Sequence, residues 1–344
     1  MRLTIRYCEG PAGRVAYSTV GDGPPLIVDA GWITDLRAQL DLFAFAPFVE
    51  RLAERVTVIR FDKPGCGLSE RDGVSLTLDE QADAAMAVAD AVGADRFRLF
   101  GASQGGHLAV TLASRHPDRV DGLVLYGSCA SGADLAPHSV RESLVALVRA
   151  HWGLGFKALA GALITDPTAE ELVAFNAFQR ASVSPEVAAD LLRLYYGTDV
   201  QELLPTISAP TAVLHRVADP GTPFELGRAL SALIPGAVLV PLPGASHLFY
   251  HGAWAEVADA VLDSLGAERM NAIVPTAGPS LTGREREVAG LVADGLTNQA
   301  IASRLGIAPR TAESHVENIR RKLGVRSRAQ IAVWATEQRL AEGR

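Results

Sequence analysis

The segment Phe97-Arg98-Leu99-Phe100-Gly101-Ala102-Ser103-Gln104-Gly105 decides the fold of the first part of this 344-residue chain. Its apolar start leads into a Gly-x-Ser-x-Gly pattern, and a helix-forming stretch over 104–115 follows directly. Glycines two residues before and two after a serine let a strand and a helix meet in a tight turn, which exposes the hydroxyl at the edge of a sheet. The pattern therefore predicts that Ser103 is a nucleophile between a strand and a helix.

Short apolar runs alternate with helical stretches on both sides of this segment. Strands are predicted over 26–30, 56–61, 97–101, 120–126, 211–215 and 237–240, after an opening hairpin of 3–8 and 14–19. Buried strands separated by amphipathic helices predict a parallel sheet covered on both faces, so the fold class is α/β. Over 131–198 the alternation stops, and Ala/Leu-rich helices are predicted to form a lid over the carboxyl edge of the sheet, where ligands bind in such folds.

A serine nucleophile requires a base, and the base requires an acid that orients it. Asp219 and His247 each follow one of the last two predicted strands. The order Ser, Asp, His along the chain matches one of the known triad orders. We therefore predict a catalytic triad of Ser103, Asp219 and His247. Structural roles are predicted for the other histidines close to these elements, His107, His215 and His251.

Residues 1–266 resemble the α/β-hydrolase fold family. Besides the turn at Ser103, the segment Asp62-Lys63-Pro64-Gly65-Cys66-Gly67-Leu68-Ser69 is similar to the family's Asp-x-x-Gly-x-Gly-x-Ser loop, and 233–247 is similar to its closing segment. The resemblance implies an oxyanion hole made by the backbone amides of Trp32 and Gln104. Family members commonly carry His-Gly at the oxyanion loop, where this chain has Ala30-Gly31. This departure leaves open whether the first domain is a catalyst or a receptor.

The character of the chain changes near Gly278-Pro279-Ser280. From Ser280 to Arg344 there are eleven Lys/Arg and seven Asp/Glu, a net charge of +4, whereas the remainder has a net charge of −11. Such an asymmetry of charge is typical of a protein in which only one part binds nucleic acid. We predict a first domain over 1–266, a linker over 267–280 and a second domain over 281–344.

Start and stop signals divide the second domain into four helices. Thr282 with Glu285 three residues later predicts a capping box, which begins a helix ending near 294. Further helices are predicted over 298–305, 311–323 and 328–340, with glycines ending the first two of these. Two short helices joined by a tight Gly turn are the helix-turn-helix arrangement, whose second helix enters the major groove of DNA.

The block 281–341 closely resembles the LuxR-type (NarL/FixJ-like) helix-turn-helix domain. The matching residues are Leu281-Thr282-x-Arg284-Glu285-x-Glu287-Val288, Gly295-x-Thr297-Asn298-x-x-Ile301-Ala302 and Thr311-x-x-x-His315-Val316-x-x-Ile319-x-x-Lys322-Leu323. The resemblance implies binding to double-stranded DNA. It also implies a homodimer through the outer part of the stripe Ile331, Trp334, Ala335 and Gln338, and hence an inverted-repeat operator.

Helical spacing assigns the side chains of the third helix. Val316, Ile319 and Leu323 share one face and are predicted to pack in the core. The side chains left for the groove are Glu313, Ser314, Glu317 and Arg321. Phosphate contacts, which fix register without reading sequence, are assigned to Thr297, Asn298, Arg321 and Lys322, and Thr311 completes the predicted DNA-binding set. Glutamates on this face accept a hydrogen bond from cytosine N4 but lower the electrostatic affinity.

Cysteine count and hydropathy exclude several classes of protein. Cys8, Cys66 and Cys129 are too few and too scattered for a disulfide framework or a metal cluster, and we predict neither a metal nor a cofactor. The chain shows no signal-peptide pattern and no apolar stretch long enough to span a bilayer, so we expect a cytoplasmic protein without a membrane partner.

The leading hypothesis is a DNA-binding transcription regulator whose α/β-hydrolase-like domain senses a small hydrophobic or ester/lactone ligand, with or without hydrolysing it. One alternative is an active serine esterase or lactonase tethered to a DNA-binding domain. The other is a first domain that serves only as a dimerisation scaffold.

Overall fold

The computed structural model describes residues 3–266, 281–293, 296–323, 331 and 334–335. The chain divides into two compact units, Met1–Ala272 and Ile273–Arg344. The linker predicted over 267–280 lies outside the described residues, as does most of the helix predicted over 328–340. No helix in the described part of the chain is long and apolar enough to cross a membrane.

Eight strands form one sheet in the first unit. Their bounds are β1 Ile5–Gly10, β2 Gly13–Val20, β3 Pro25–Asp29, β4 Thr57–Phe61, β5 Phe97–Ala102, β6 Val120–Tyr126, β7 Thr211–Arg216 and β8 Val238–Leu242. The strand order is β1-β2-β4-β3-β5-β6-β7-β8. β2 pairs antiparallel with both β1 and β4, and the other neighbours are parallel. The predicted α/β-hydrolase sheet is confirmed.

Helices cover both faces of this sheet because successive strand residues point to opposite sides. Leu26 and Val28 of β3 pack in one apolar core, whereas Ile27 packs in the other. The helices outside the lid are α1 Phe45–Ala53, α2 Leu78–Ala91, α3 Gly105–Arg115, α8 Phe224–Leu233 and α9 Trp254–Gly266. α1 and α9 contribute to the core that contains Leu26, and α2, α3 and α8 to the core that contains Ile27.

A lid of four helices lies in the chain between β6 and β7. They are α4 His138–Ala150, α5 Trp152–Leu163, α6 Ala169–Ser182 and α7 Pro185–Gly197. Local sequence begins two of them: Thr168 and Glu171 form a capping box at α6, and Ser184 caps α7 with Pro185 in its first turn. Backbone hydrogen bonds of 2.9 Å from Gly132 to Thr198 and from Val200 to Ala130 join the two ends of the lid.

The second unit contains three helices among its described residues, α10 Gly283–Ala293, α11 Asn298–Leu305 and α12 Pro309–Leu323. The predicted capping box is present at α10, because Thr282 N–H donates to Glu285 Oε2 at 2.7 Å and Glu285 N–H donates to Thr282 Oγ1 at 3.2 Å. Gly306 ends α11 with a φ of 65°. α12 begins two residues earlier than predicted, because a proline is well suited to the first turn of a helix.

Candidate functional site

Ser103 occupies the turn between β5 and α3 with a φ of 55°, a left-handed conformation that is uncommon for residues other than glycine. A Cβ on Gly105 would lie 2.6 Å from the carbonyl oxygen of Asp29, and a Cβ on Gly101 would collide with the backbone of Gly105. Both positions therefore require glycine. Ser128 Oγ donates to the Ser103 carbonyl oxygen at 2.7 Å and so supports the turn.

His247 and Asp219 form a buried pair, only 4% and 6% exposed, with 2.8 Å between His247 Nδ1 and Asp219 Oδ2. Asp219 Oδ1 also accepts from the amides of Gly221 and Thr222, at 2.8 and 3.0 Å. Burial alone would raise the pKa of Asp219, but the attraction and hydrogen bond from His247, with the Thr222 amide, lower it below its ordinary value. A charged carboxylate only accepts, so it favours the proton on Nδ1 and leaves Nε2 as the basic nitrogen.

The hydroxyl of Ser103 has an unexpected partner. Within the described part of the chain, it donates to Tyr195 Oη at 3.4 Å and makes no hydrogen bond to His247. Ser103 and His247 nevertheless line the same cavity, with Asp219 behind the histidine. The structure thus brings the three predicted triad residues together without the serine–histidine hydrogen bond. Tyr195 lies in α7, where the sequence pattern of the lid gives no functional signal for it.

The two residues predicted for the oxyanion hole differ in position. Trp32 lines the cavity, whereas Gln104 does not and is only 1% exposed. Gln104 Oε1 accepts from Lys63 Nζ at 2.6 Å. The same Nζ donates to the Gly31 carbonyl oxygen at 2.6 Å and lies 2.9 Å from Asp29 Oδ2. Lys63, which is fully buried, therefore holds the Ala30-Gly31 loop and the start of α3 together from inside the protein.

The cavity has a volume of about 240 Å³ and is mainly apolar. Its side chains with a hydrogen-bonding group are Trp32, Gln39, Ser103, Tyr195, Tyr196, Thr222, His247 and Tyr250. None of the described residues that line it is an Asp, Glu, Lys or Arg. Because a buried charge without a partner is costly, this cavity favours a small uncharged ligand.

The side chains of the Asp-x-x-Gly-x-Gly-x-Ser loop form hydrogen bonds that fix the shape of the loop. Asp62 Oδ2 accepts from the Leu68 amide at 2.8 Å, and a Cβ on Gly67 would collide with this carboxylate. Ser69 Oγ donates to the Asp62 carbonyl oxygen at 2.5 Å and accepts from the Ala16 amide at 2.9 Å. Burial raises the pKa of Asp62 to about 7. None of these residues lines the cavity.

The three histidines predicted to be structural each contact a backbone carbonyl oxygen or a carboxylate of the protein. Nε2 of His107 lies 3.0 Å from the Cys129 carbonyl oxygen, and Nε2 of His215 lies 2.8 Å from the Thr222 carbonyl oxygen. His251 Nε2 lies 3.3 Å from Glu171 Oε1. None of the three histidines lines the cavity.

In the second unit, α12 separates buried from exposed side chains as its periodicity predicts. Val316 and Ile319 are buried in an apolar core, whereas Glu313, Ser314 and Glu317 are exposed. Glu317 pairs with Arg320 at 2.9 Å. The side chains of Leu323, Arg321 and Lys322 lie outside the described residues, although the helix includes all three positions.

The start of α11 and the start of α12 contribute the remaining predicted DNA contacts. Thr297 accepts from the Ala300 amide at 3.3 Å, so its hydroxyl caps α11 in addition to any contact with phosphate. Thr311 is exposed in the first turn of α12. Arg310, which was not among the predicted residues, lines a shallow depression together with Asn298, Gln299, Pro309 and Glu313.

Fold and site define a protein in which a hydrolase-type sheet domain is joined to a helix-turn-helix domain. The chain belongs to the alpha/beta hydrolase fold family, which it matches over residues 24–198, and its residues 279–335 match the luxR family of bacterial regulatory proteins. Both predicted resemblances are therefore confirmed. The C-terminal unit is a LuxR-type DNA-binding domain.

Known proteins match the two units separately. A pimeloyl-[acyl-carrier protein] methyl ester esterase of Chromobacterium violaceum is 30% identical over 240 residues, which cover 67% of this chain and 89% of the esterase. The solved structure of a thermophilic esterase from Thermogutta terrifontis matches with a TM-score of 0.66 and 25% identity, over 76% of this chain and 98% of the esterase. The nitrate/nitrite response regulator protein NarL of Escherichia coli is 42% identical over 60 residues, 17% of this chain and 28% of NarL.

Proposed function

We propose that this protein is a transcription regulator whose α/β-hydrolase domain senses a small uncharged ligand and thereby controls DNA binding. The observation that carries this proposal is an uncharged cavity of about 240 Å³, lined by Ser103 and His247, in the same chain as a LuxR-type domain. A ligand controls DNA binding only if it binds more tightly to one of two states of the protein. Such a difference in affinity is the quantity that the experiment below measures.

An ester or a lactone is the ligand chemistry that fits best. Its carbonyl oxygen would accept from the amides of Trp32 and Gln104, and its carbonyl carbon would lie against Ser103. The apolar remainder would pack against the aromatic wall that includes Phe178 and Phe249. The esterase relative, whose name specifies a methyl ester, supports this class of ligand.

On the DNA side, we propose a homodimer that binds an inverted repeat. Arg310, Asn298, Arg321 and Lys322 would contact phosphates, and Glu313 would accept from cytosine N4 in the major groove. The exposure of Glu313 and the position of Arg310 beside it support these assignments. Dimer symmetry would place the two α12 helices in successive major grooves on one side of the duplex.

An active esterase or lactonase is the second candidate, and the buried pair of Asp219 and His247 favours it. In this case Ser103 Oγ would attack the ester carbon and pass its proton to His247 Nε2. That proton would leave with the alcohol, and a water activated by the same nitrogen would hydrolyse the acyl-serine. Hydrolysis would then end the signal.

The substitution Ser103→Ala in the full-length chain separates the two candidates. Short-chain esters and lactones are first screened for an increase in melting temperature, and each hit is tested for its effect on binding to duplexes selected in vitro from a random pool. In a sensor, the substituted protein keeps the ligand effect on DNA and the wild type releases no alcohol or acid. In an enzyme, products accumulate with the wild type only. Ser114→Ala, a hydroxyl at the far end of α3, is the matched control.

The sensor proposal is wrong if no ester or lactone in the panel changes the melting temperature. It is also wrong if ligands bind and DNA affinity stays the same. The first of these results would favour a first domain that acts only as a scaffold.

A further inference from the structure

The single proton of the Ser103 hydroxyl points to the lid. Ser103 Oγ donates to Tyr195 Oη, and Cys129 Sγ lies 4.0 Å from the same tyrosine oxygen. The Thr222 hydroxyl is a further hydrogen-bonding neighbour of this oxygen. Because a serine hydroxyl carries only one proton, this arrangement leaves none for Nε2 of His247.

Tyr195 reaches the serine from the side on which the acid and the base lie. Its neighbour Thr222 follows β7, whereas Trp32 follows β3, and these strands lie on opposite sides of β5 in the sheet. Tyr195 therefore has a neighbour in the loop after β7, the loop that also carries Asp219. It competes with His247 for the proton of Ser103.

Packing holds Tyr195 in this position. Its ring lies 5.4 Å from that of His107 and stacks on that of Tyr196, and the residue is only 7% exposed. A Cβ on Gly132 would collide with the Tyr195 carbonyl oxygen, so the backbone also fits closely at the base of the lid. Burial raises the pKa of Tyr195 well above its ordinary value, which keeps the hydroxyl neutral at any working pH.

We propose that Tyr195 restrains Ser103: it holds the serine proton away from His247 until an oxygen of the ligand replaces the serine at the tyrosine hydroxyl. The 3.4 Å separation is longer than the roughly 2.7–2.8 Å typical of hydroxyl hydrogen bonds, so the bond is weak and exchanges readily. The proposal rests on the proposed function in one respect, that Ser103 is the residue that meets the ligand. The proposal assigns α7 as the lid helix that responds when a ligand occupies the cavity.

The test is the rate at which an alkyl fluorophosphonate labels Ser103 in the full-length protein. In this reaction Ser103 Oγ bonds to phosphorus, fluoride leaves, and His247 takes the serine proton. Tyr195→Phe keeps the ring and removes only the hydroxyl. We expect it to label roughly two- to threefold faster than the wild type, the factor that loss of a hydrogen bond at the weak end of the usual range produces. Tyr7→Phe, the same change at an exposed tyrosine of β1 that does not line the cavity, should label at the wild-type rate.

Labelling of Tyr195→Phe without labelling of the wild type would support the proposal most strongly. Equal or slower labelling of Tyr195→Phe would overturn it, and so would the absence of label from both proteins. Ser103→Ala shows that the label is on the serine, and equal urea midpoints show that the variants are folded. The labelling experiment does not use ligand-induced shifts in melting temperature. If Tyr195→Phe labels no faster than the wild type, the sensor proposal therefore still stands.

Discussion

The two units hold their candidate functional side chains in opposite environments. In the first, Asp219, His247 and Lys63 are buried, and each is bonded to defined protein groups. In the second, Glu313 and Ser314 lie exposed on α12. Removal of one buried partner leaves an uncompensated charge, whereas an exposed charge acts weakly and is screened by salt. Substitutions should therefore have large effects in the first unit and small, salt-dependent effects in the second.

The largest effect is expected for Lys63→Met. It leaves the buried carboxyl of Asp29 without its partner, and it removes the donor to Gly31 and Gln104, so the free energy of unfolding should fall by about 3–5 kcal/mol. Urea unfolding followed by tryptophan fluorescence measures this, because three of the four tryptophans lie in the first unit. Lys157→Met, at an exposed lysine of α5, is the control. Equal midpoints for the two variants would show that burial of the pair contributes little.

The stability of the first unit should depend on pH through Asp62. Its pKa is raised to about 7 in the folded protein from 3.8, so the folded state binds the proton more tightly and stability falls as pH rises from about 4 to 7. The loss amounts to at most about 4 kcal/mol. Asp62→Asn cannot ionise, and we expect its urea midpoint to exceed that of the wild type at pH 8 but not at pH 4.

Asp72→Asn, a change at an exposed carboxylate nearby, is the control for this comparison and should follow the wild type at both pH values. A wild-type midpoint that stays constant from pH 4 to 8 would contradict the prediction.

The smallest effect is expected for Glu313→Gln. Removal of one negative charge from the side of α12 that is predicted to face the groove should raise DNA affinity roughly two- to fivefold at low salt, with a smaller gain at high salt. Fluorescence anisotropy with a labelled duplex at several salt concentrations measures it. Glu256→Gln removes the same charge from α9 of the first unit and should change nothing. An equal gain from both variants would mean that the gain in DNA affinity depends on the net charge of the protein and not on the position of the charge on α12.

Features set by neighbouring residues could be predicted from the sequence. Apolar runs gave the eight strands to within about two residues, and Thr282 with Glu285 gave the capping box. The restraint at Ser103 could not be predicted, because its partner Tyr195 lies 92 residues away in the chain. Lys63 is a similar case: its acceptors come together only when β3, β4 and α3 have packed. A turn motif identifies a nucleophile but not the group that receives its proton.

The construction of the lid has a consequence for which parts of the first unit can be exchanged. The lid leaves the sheet after β6 and returns at β7, and these strands are neighbours in the sheet. A bridge between Ser131 and Asp199 joins its two ends. The segment between these ends can therefore be replaced as a unit. A different lid with the same two ends would leave every strand of the sheet in place. If the first unit is the proposed sensor, replacing this segment would change the ligand that it binds without altering the DNA-binding unit.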